Sequence, residues 1–417
     1  MTTRLATLTF LFLLSRQASH ADDWPQFLGP QRNGICSETG LTGRFPDSGP
    51  DIVWRTPLGV GMSGVAIANG TAFTTYQDDQ KQYTVALDAT TGKKLWQVDV
   101  SPTYENSMGN GPRATPTVND GTAYVFTGEG ILAALNAQDG KILWSADTLK
   151  LVGGKPADYG MSSSPLVTKD GVVVHVGATN GCVVCFDART GQKKWTAGNA
   201  PAGYSSPVLA TLAGREQILA LAGSEVLGID PVDGTVLWKY RFETEYNCNT
   251  ANPVVVDDST LLISAGENHG SVILKITVND GNFSVAEGWN SPGKDSVLRA
   301  EWQTPILGSG GLLFGLDNIG SAGPITNLVC VRATDGEQLW IQKRFGKGNL
   351  VAADGKLFMT TMRGEVVIGK ADSNGYQETA RATVIGMTRQ APSIANGMLY
   401  VRDDREVVCI NVRAKQD

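Results

Sequence analysis

Leu87 to Trp96 reads LDATTGKKLW, and altered copies of this stretch return along the chain. Leu135 to Trp144 is LNAQDGKILW, Phe186 to Trp195 is FDARTGQKKW, Ile229 to Trp238 is IDPVDGTVLW, and Val331 to Trp340 is VRATDGEQLW. In each copy an apolar strand end meets a turn, a glycine follows, and a tryptophan stands four places after it. Asp88, Asn136, Asp187 and Asp230 can bond the backbone two residues on, and the glycine supplies a positive φ without steric cost. The stretch therefore predicts a hairpin.

Upstream of the copies lies a second pair of strands, as in TPTVNDGTAYVFTGEG from Thr115, SPLVTKDGVVVHVGATNG from Ser164 and APSIANGMLYVRDD from Ala391. Each unit thus holds four short strands and two tight turns, led by a small residue and a proline. The tryptophans recur at roughly 40 to 50 residues, the interval of a propeller blade. Lead positions at Ser63, Thr115, Ser164, Ser206, Asn252, Thr304, Leu350 and Ala391 predict eight blades. Two blades depart from the pattern. The place four after Gly281 is Val285, with Trp289 later, and Gly375 is followed by YQETARATVIG without tryptophan. Both are read as stretched blades.

Ile52-Val53-Trp54-Arg55 looks like a fourth strand without its first three, whereas residues 391 to 412 supply three strands (APSIAN, MLYVRD, EVVCINV) without a fourth. Joining them near Cys409 would close the ring and remove two exposed edges. The fold class predicted is all-β, an eight-bladed β-propeller of four-stranded antiparallel blades over residues 50–417, closed by an N-terminal strand that completes the last blade. Residues 22–49 read as an irregular lead-in anchored by Trp24 and Phe27. Residues 1–21 read as a signal peptide, with Arg4, the apolar run Ala6 to Leu14, and a small-x-small cleavage site at Ser19-His20-Ala21. Cys36 is the first cysteine, so no lipid-attachment cysteine follows the apolar run. A soluble, exported monomer, periplasmic or secreted and without a membrane span, is expected.

The net charge of -6 and pI near 5.3 come without a basic stripe and exclude a nucleic-acid surface. Cys185, Cys330 and Cys409 fall where other blades carry Ala86 and Ala134, so they read as small core residues. Cys182 and Cys185 form a C-x-x-C inside a strand, where residues three apart face opposite ways. Cys36 and Cys248 sit in loops, and their pairing stays open. His175 and His269 are too few for a metal triad.

The D-A-x-T-G-x-x-x-W repeats with their small-Pro lead strands resemble the PQQ-like β-propellers of the quinoprotein-dehydrogenase-like superfamily, over residues 50 to 412. The opening WPQFLGPQRNG resembles the lead-in of exported bacterial members. The resemblance implies a scaffold shared by pyrroloquinoline-quinone (PQQ) dehydrogenases of alcohols or sugars and by noncatalytic assembly factors such as the outer-membrane β-barrel assembly propeller.

In a propeller, the loops from each outer strand to the next inner strand gather over one face. Here they are rich in Ser, Asn, Tyr and Arg. Asn110, Arg113, Tyr159, Ser163, Tyr204, Ser205, Asn249, Glu301, Trp302 and Arg389 are the candidate funnel residues. A quinone reading takes Arg113 or Arg389 as the cationic donor, Glu301 with Asn249 or Asn252 as calcium ligands, and Trp302 as the stacking floor. Against it, the adjacent Cys-Cys pair and the haem-binding C-x-x-C-H are absent, and Asp158 and Asp295 stand in no motif. The sequence therefore favours a noncatalytic module that binds a protein partner or a polymer such as a polysaccharide, with no catalytic residues and no metal site. The PQQ- and calcium-dependent dehydrogenase is the alternative.

Overall fold

The computed structural model describes residues 23–320 and 325–415, so the segment read as a signal peptide lies outside the described residues. Eight antiparallel sheets follow one another along the chain. Seven are built locally, over residues 66–102, 117–147, 166–197, 208–241, 254–292, 306–342 and 348–383. The eighth takes Ser393–Ala395, Met398–Arg402 and Glu406–Asn411 from the C-terminal end and Asp51–Pro57 from the N-terminal end. Trp54 pairs with Cys409, in the register the sequence suggests. The inner strands of the first and eighth blades are neighbours, so the ring is closed.

The repeated tryptophan explains how one blade holds the next. The indole N–H of Trp96 donates to Ala137 O, that of Trp144 to Ala188 O, and that of Trp195 to Pro231 O, each in the hairpin turn of the following blade. Trp54, Trp289 and Trp340 reach Ala89, Ala333 and Asp372 in the same way. The turn glycine lies against the same indole: a Cβ on Gly191 would stand 2.5 Å from Trp144. Trp289 keeps this contact although its hairpin is stretched to Gly270–Asn279 and Asn282–Pro292. Trp238, which faces that stretched hairpin, bonds Gln217 of its own blade instead. The seventh blade has no tryptophan for a topological reason. Its neighbour, the eighth, has a chain break where the receiving turn would be.

Opposite six of these indoles stands a small residue, Trp289 at its bulge being the exception: Ala86, Ala134, Cys185, Gly228, Cys330 and Cys409 pair with Trp96, Trp144, Trp195, Trp238, Trp340 and Trp54. Paired residues share a face of the sheet, so a bulky indole requires a small partner. Cys182 and Cys185 are fully buried, and burial pushes both thiols up to about 12. They are packing groups.

The small lead residues form a second, inner belt. The backbone N–H of Gly64 donates to Thr115 Oγ1, Thr115 N to Ser164 Oγ, Ser164 N to Ser206 Oγ, Ser206 N to Asn252 Oδ1, and Asn252 N to Thr304 Oγ1. Each lead hydroxyl or amide thus satisfies a buried donor of the preceding blade.

The lead-in crosses the opposite face. Trp24 is bridged to Ile67 of the first blade, and Ile35–Cys36 adds a parallel strand to the seventh. Arg32 spans the axis, donating to Pro207 O at 2.6 Å, Pro165 O at 2.7 Å and Ser164 O at 3.1 Å. Without a carboxylate beside it, burial lowers its pKa to about 9.

Candidate functional site

At the hub of the other face lies a cavity of about 400 Å³ to which all eight blades contribute. Its wall runs from Met62 and Gly64 through Arg113, Tyr159 and Tyr204 to Glu301, Trp302, Asn349 and Arg389, and Phe27 of the lead-in lines it too. Of the ten candidate residues, Arg113, Tyr159, Tyr204, Glu301, Trp302 and Arg389 line this cavity. Asn110 lines an adjoining pocket with Met62, Met108 and Arg389. Ser163, Ser205 and Asn249 are buried behind the wall. Ser163 Oγ accepts from His175 N, Ser205 Oγ donates to Leu221 O, and Asn249 Nδ2 donates to the carbonyls of Ala222, Gly223 and Phe242. The cavity is met instead by their neighbours Ser162, Ser164, Ser206 and Thr250, because side chains of an extended segment alternate in direction.

The charges divide into spent and unspent groups. Arg113 gives Nε to Tyr159 O at 2.6 Å, Nη2 to Gly109 O at 2.7 Å and Nη1 to Gly111 O, so it organises two loops. Burial draws its pKa below the ordinary value. Glu301 does not pair with Arg299, which is held by Asp317 in a buried bidentate bridge. It pairs instead with Lys347, and its second oxygen accepts from Asn318 Nδ2. Burial raises the Glu301 carboxyl above its usual range, while Lys347 opposes the shift. The Lys347 ammonium also sits 3.6 Å from the centre of the Trp302 ring, with the Arg389 guanidinium at 5.1 Å. Arg389 Nε is buried with no partner among the described residues.

Lys347, in the loop segment GKGN at 346–349, is not among the residues the sequence suggests. Nor are Tyr246, Cys248 and Glu267, which line the cavity. Glu267 is in the hairpin between the second and third strands of the fifth blade, and such hairpins reach the same face as the loops between blades. The rim is strained. Tyr246, Asn247, Glu267, Asn268 and Trp302 all adopt positive φ, between 53° and 64°. Such conformations cost side chains about 1–3 kcal/mol each and concentrate at binding sites.

The calcium set suggested by the sequence does not fit. Both Glu301 oxygens are engaged by donors, Asn252 Oδ1 accepts from Ser206 N, and Asn249, whose Nδ2 is tied to backbone carbonyls and whose Oδ1 has no partner among the described residues, is buried behind the wall and not at the cavity. Among the described residues, no group of three or more His, Cys, Asp or Glu could hold a metal ion. Trp302, the suggested floor for a flat quinone, has Lys347 and Arg389 over its ring. Cys248 stands in the cavity wall with a free thiol, and Cys36 is in the parallel strand of the seventh blade. No helix among the described residues is long and apolar enough to cross a membrane.

A family model described as outer membrane protein assembly factor BamB matches residues 47–157, 80–317 and 326–414. BamB of Yersinia pestis is 28% identical over 227 residues, 50% of this chain and 54% of that protein. The dehydrogenase subunit of the alcohol dehydrogenase (quinone) of Komagataeibacter europaeus is 34% identical over 134 residues, 29% of this chain and 18% of that protein. The chain thus spans little more than half the length of one curated relative and a fifth of the other. Among solved structures, the quinohemoprotein alcohol dehydrogenase of Comamonas testosteroni aligns with a TM-score of 0.65 at 14% identity, covering 95% of this chain and 81% of its own. BamB of Moraxella catarrhalis aligns at 0.59 and 17% identity, covering 86% of this chain and 100% of its own. At such identities the likeness shows the fold alone.

Proposed function

This chain belongs to the PQQ-like propeller family whose model is described as outer membrane protein assembly factor BamB, and from that premise we propose that it is an exported, noncatalytic propeller that binds a protein or polymer partner through its loop face and central cavity. The observation that carries the reading is the cavity wall. Every blade contributes to it, aromatic rings and Arg389, whose Nε has no partner among the described residues, face it, and its rim holds strained side chains. A partner is best recognised by such a convergent surface, with buried aromatic and arginine anchors. Residues 1–21 would direct export and be removed near Ala21, leaving a soluble protein in the periplasm or outside the cell.

The test is photo-crosslinking in the native cell envelope, with a crosslinking residue at Tyr246 on the loop face or at Asp120 on the opposite face. Adducts from position 246 alone are expected. Equal adducts from both positions, or adducts from 120 alone, would refute the reading.

The quinone alcohol dehydrogenase relatives favour a second reading, a PQQ- and calcium-dependent dehydrogenase. Quinone absorbance and dye reduction with alcohols and aldoses, after reconstitution with PQQ and calcium, would support it over the first.

A further inference from the structure

Lys347 shows how two residues of the cavity wall, Glu301 and Trp302, hold an ammonium group. Its Nζ lies between the Glu301 carboxylate and the Trp302 ring, a buried anion on one side and a π-face on the other. A second carboxylate, Glu267, lines the same cavity and has no lysine of its own. Glu267 Oε2 is buried, and among the described residues it has neither a hydrogen-bond donor nor a salt-bridge partner. Burial pushes the Tyr159 phenol upward and Glu245 that of Tyr246, with a smaller push on each from Glu267, and Tyr204 packs on Tyr159 at 5.6 Å. All three tyrosines and Glu267 line the one cavity.

Glu267 is held in place at some cost. It and Asn268 both take positive φ, and the Asn268 side chain accepts from Gly320 N at 3.0 Å. Gly266 lies so close to Glu301 that a Cβ there would meet its side chain at 2.5 Å. An unpaired buried carboxylate oxygen is unfavourable unless something supplies a donor. Lys347 is committed to Glu301 and Arg113 to three carbonyls, while Arg389 gives Nη1 to Met108 O, lies over the Trp302 ring and makes no salt bridge to Glu267.

We propose that Glu267, with Tyr159, Tyr204 and Tyr246, forms a recognition site for a lysine side chain presented by a partner polypeptide. The inference rests on the reading of the loop face as partner-binding and names the chemical group that enters. Tyrosine rings suit an alkylammonium rather than a hard metal ion, and no group of three or more His, Cys, Asp or Glu among the described residues could hold one. Lysine rather than arginine matches the precedent inside the cavity. Tyr246, 56% exposed at the rim, is where the aliphatic stem would pass. The net charge of -6 also favours approach by a basic segment.

The test is a ligand-observed NMR titration of the whole protein with acetyl-Gly-Lys-Gly-amide and with its counterpart acetylated at the lysine Nζ. The unmodified peptide should bind at least tenfold more tightly than the acetylated one. Glu267→Gln should weaken it at least tenfold with a thermal midpoint no lower than that of the wild type, and Tyr246→Ala should weaken it about two- to fivefold. The proposal is overturned by equal binding of the two peptides, by no binding up to ten millimolar, or by Glu267→Gln without effect. It is overturned too if calcium or glucosamine displaces the peptide at lower concentration than the peptide itself needs. Crosslinks confined to position 246, with a peptide indifferent to Glu267→Gln, would sink this inference and spare the partner-binding reading. Glu267-dependent peptide binding with crosslinks only at position 120 would do the reverse.

Discussion

Replacing Lys347 by methionine removes a charge from a nearly dry pair. The side chains of Glu301 and Lys347 are 2% and 10% exposed, so neither ion has water to fall back on. A carboxylate left behind in such a place costs about 3–5 kcal/mol, because its desolvation is no longer offset by the ammonium. Asn318 Nδ2 would remain on one oxygen and soften the loss only slightly. The cost should depend on pH with a definite sign. Burial already raises the Glu301 carboxyl, and the opposing effect of Lys347 would be gone. A carboxyl whose folded pKa lies above its unfolded value favours the native state below the unfolded pKa, and that contribution is lost as pH rises through the folded pKa. The variant should therefore recover stability as pH falls from 7 toward 4.5. Adding Glu301→Gln to Lys347→Met should restore most of the loss at pH 7, since no ion is then stranded. Urea unfolding of the wild type, both single variants and the double variant gives the cycle, and the coupling should be about 2 kcal/mol or more. Additivity within about 0.5 kcal/mol would refute the claim that these charges depend on each other.

Thr115→Val removes the acceptor for Gly64 N in the inner belt while keeping shape, and should cost about 1–3 kcal/mol in the same urea assay. Thr115→Ser should cost much less, because Ser164 and Ser206 already serve this role. Asp187 is held below the usual carboxylate range by the hydroxyl and backbone N–H of Thr190. Its contribution is present above pH 3.8 and is lost as pH falls through its depressed folded pKa, so Asp187→Asn should be slightly less stable than wild type at neutral pH and lose less stability on going to pH 3. Asn136 in the second blade already makes the equivalent turn bonds to Gln138 N and Asp139 N.

The blades were legible because the signature performs a local task and an interblade task at once. Asp187 and Gly191 shape a turn, and that turn receives the indole of Trp144. The absence of tryptophan from the seventh blade looked irregular in the sequence, and only the ring shows that its neighbour has no turn to receive one. The site was half legible. Loop segments could be assigned to a face, but an extended chain turns alternate side chains away, which sent Ser163 and Ser205 into the wall and left Ser162 and Ser206 at the cavity. Glu267 was not legible because it lies in a hairpin within its blade, and the candidate residues were drawn from the loops between blades. Lys347 was missed because its partners, Glu301 and Trp302, are a blade away in sequence.

The eighth blade ties the order of events in folding to the order of synthesis. Arg55 and Glu406, which meet across its seam, are 351 residues apart, and closing a loop of that length costs about 5 kcal/mol of chain entropy. While the chain is still on the ribosome, or part-way through a translocation channel, the strand bearing Trp54 has nothing to join. The growing polypeptide stays an open arc that can still be threaded. A stop codon anywhere before residue 406 would strand that indole beside an unpaired sheet edge, and aggregation rather than a smaller ring is the outcome to look for.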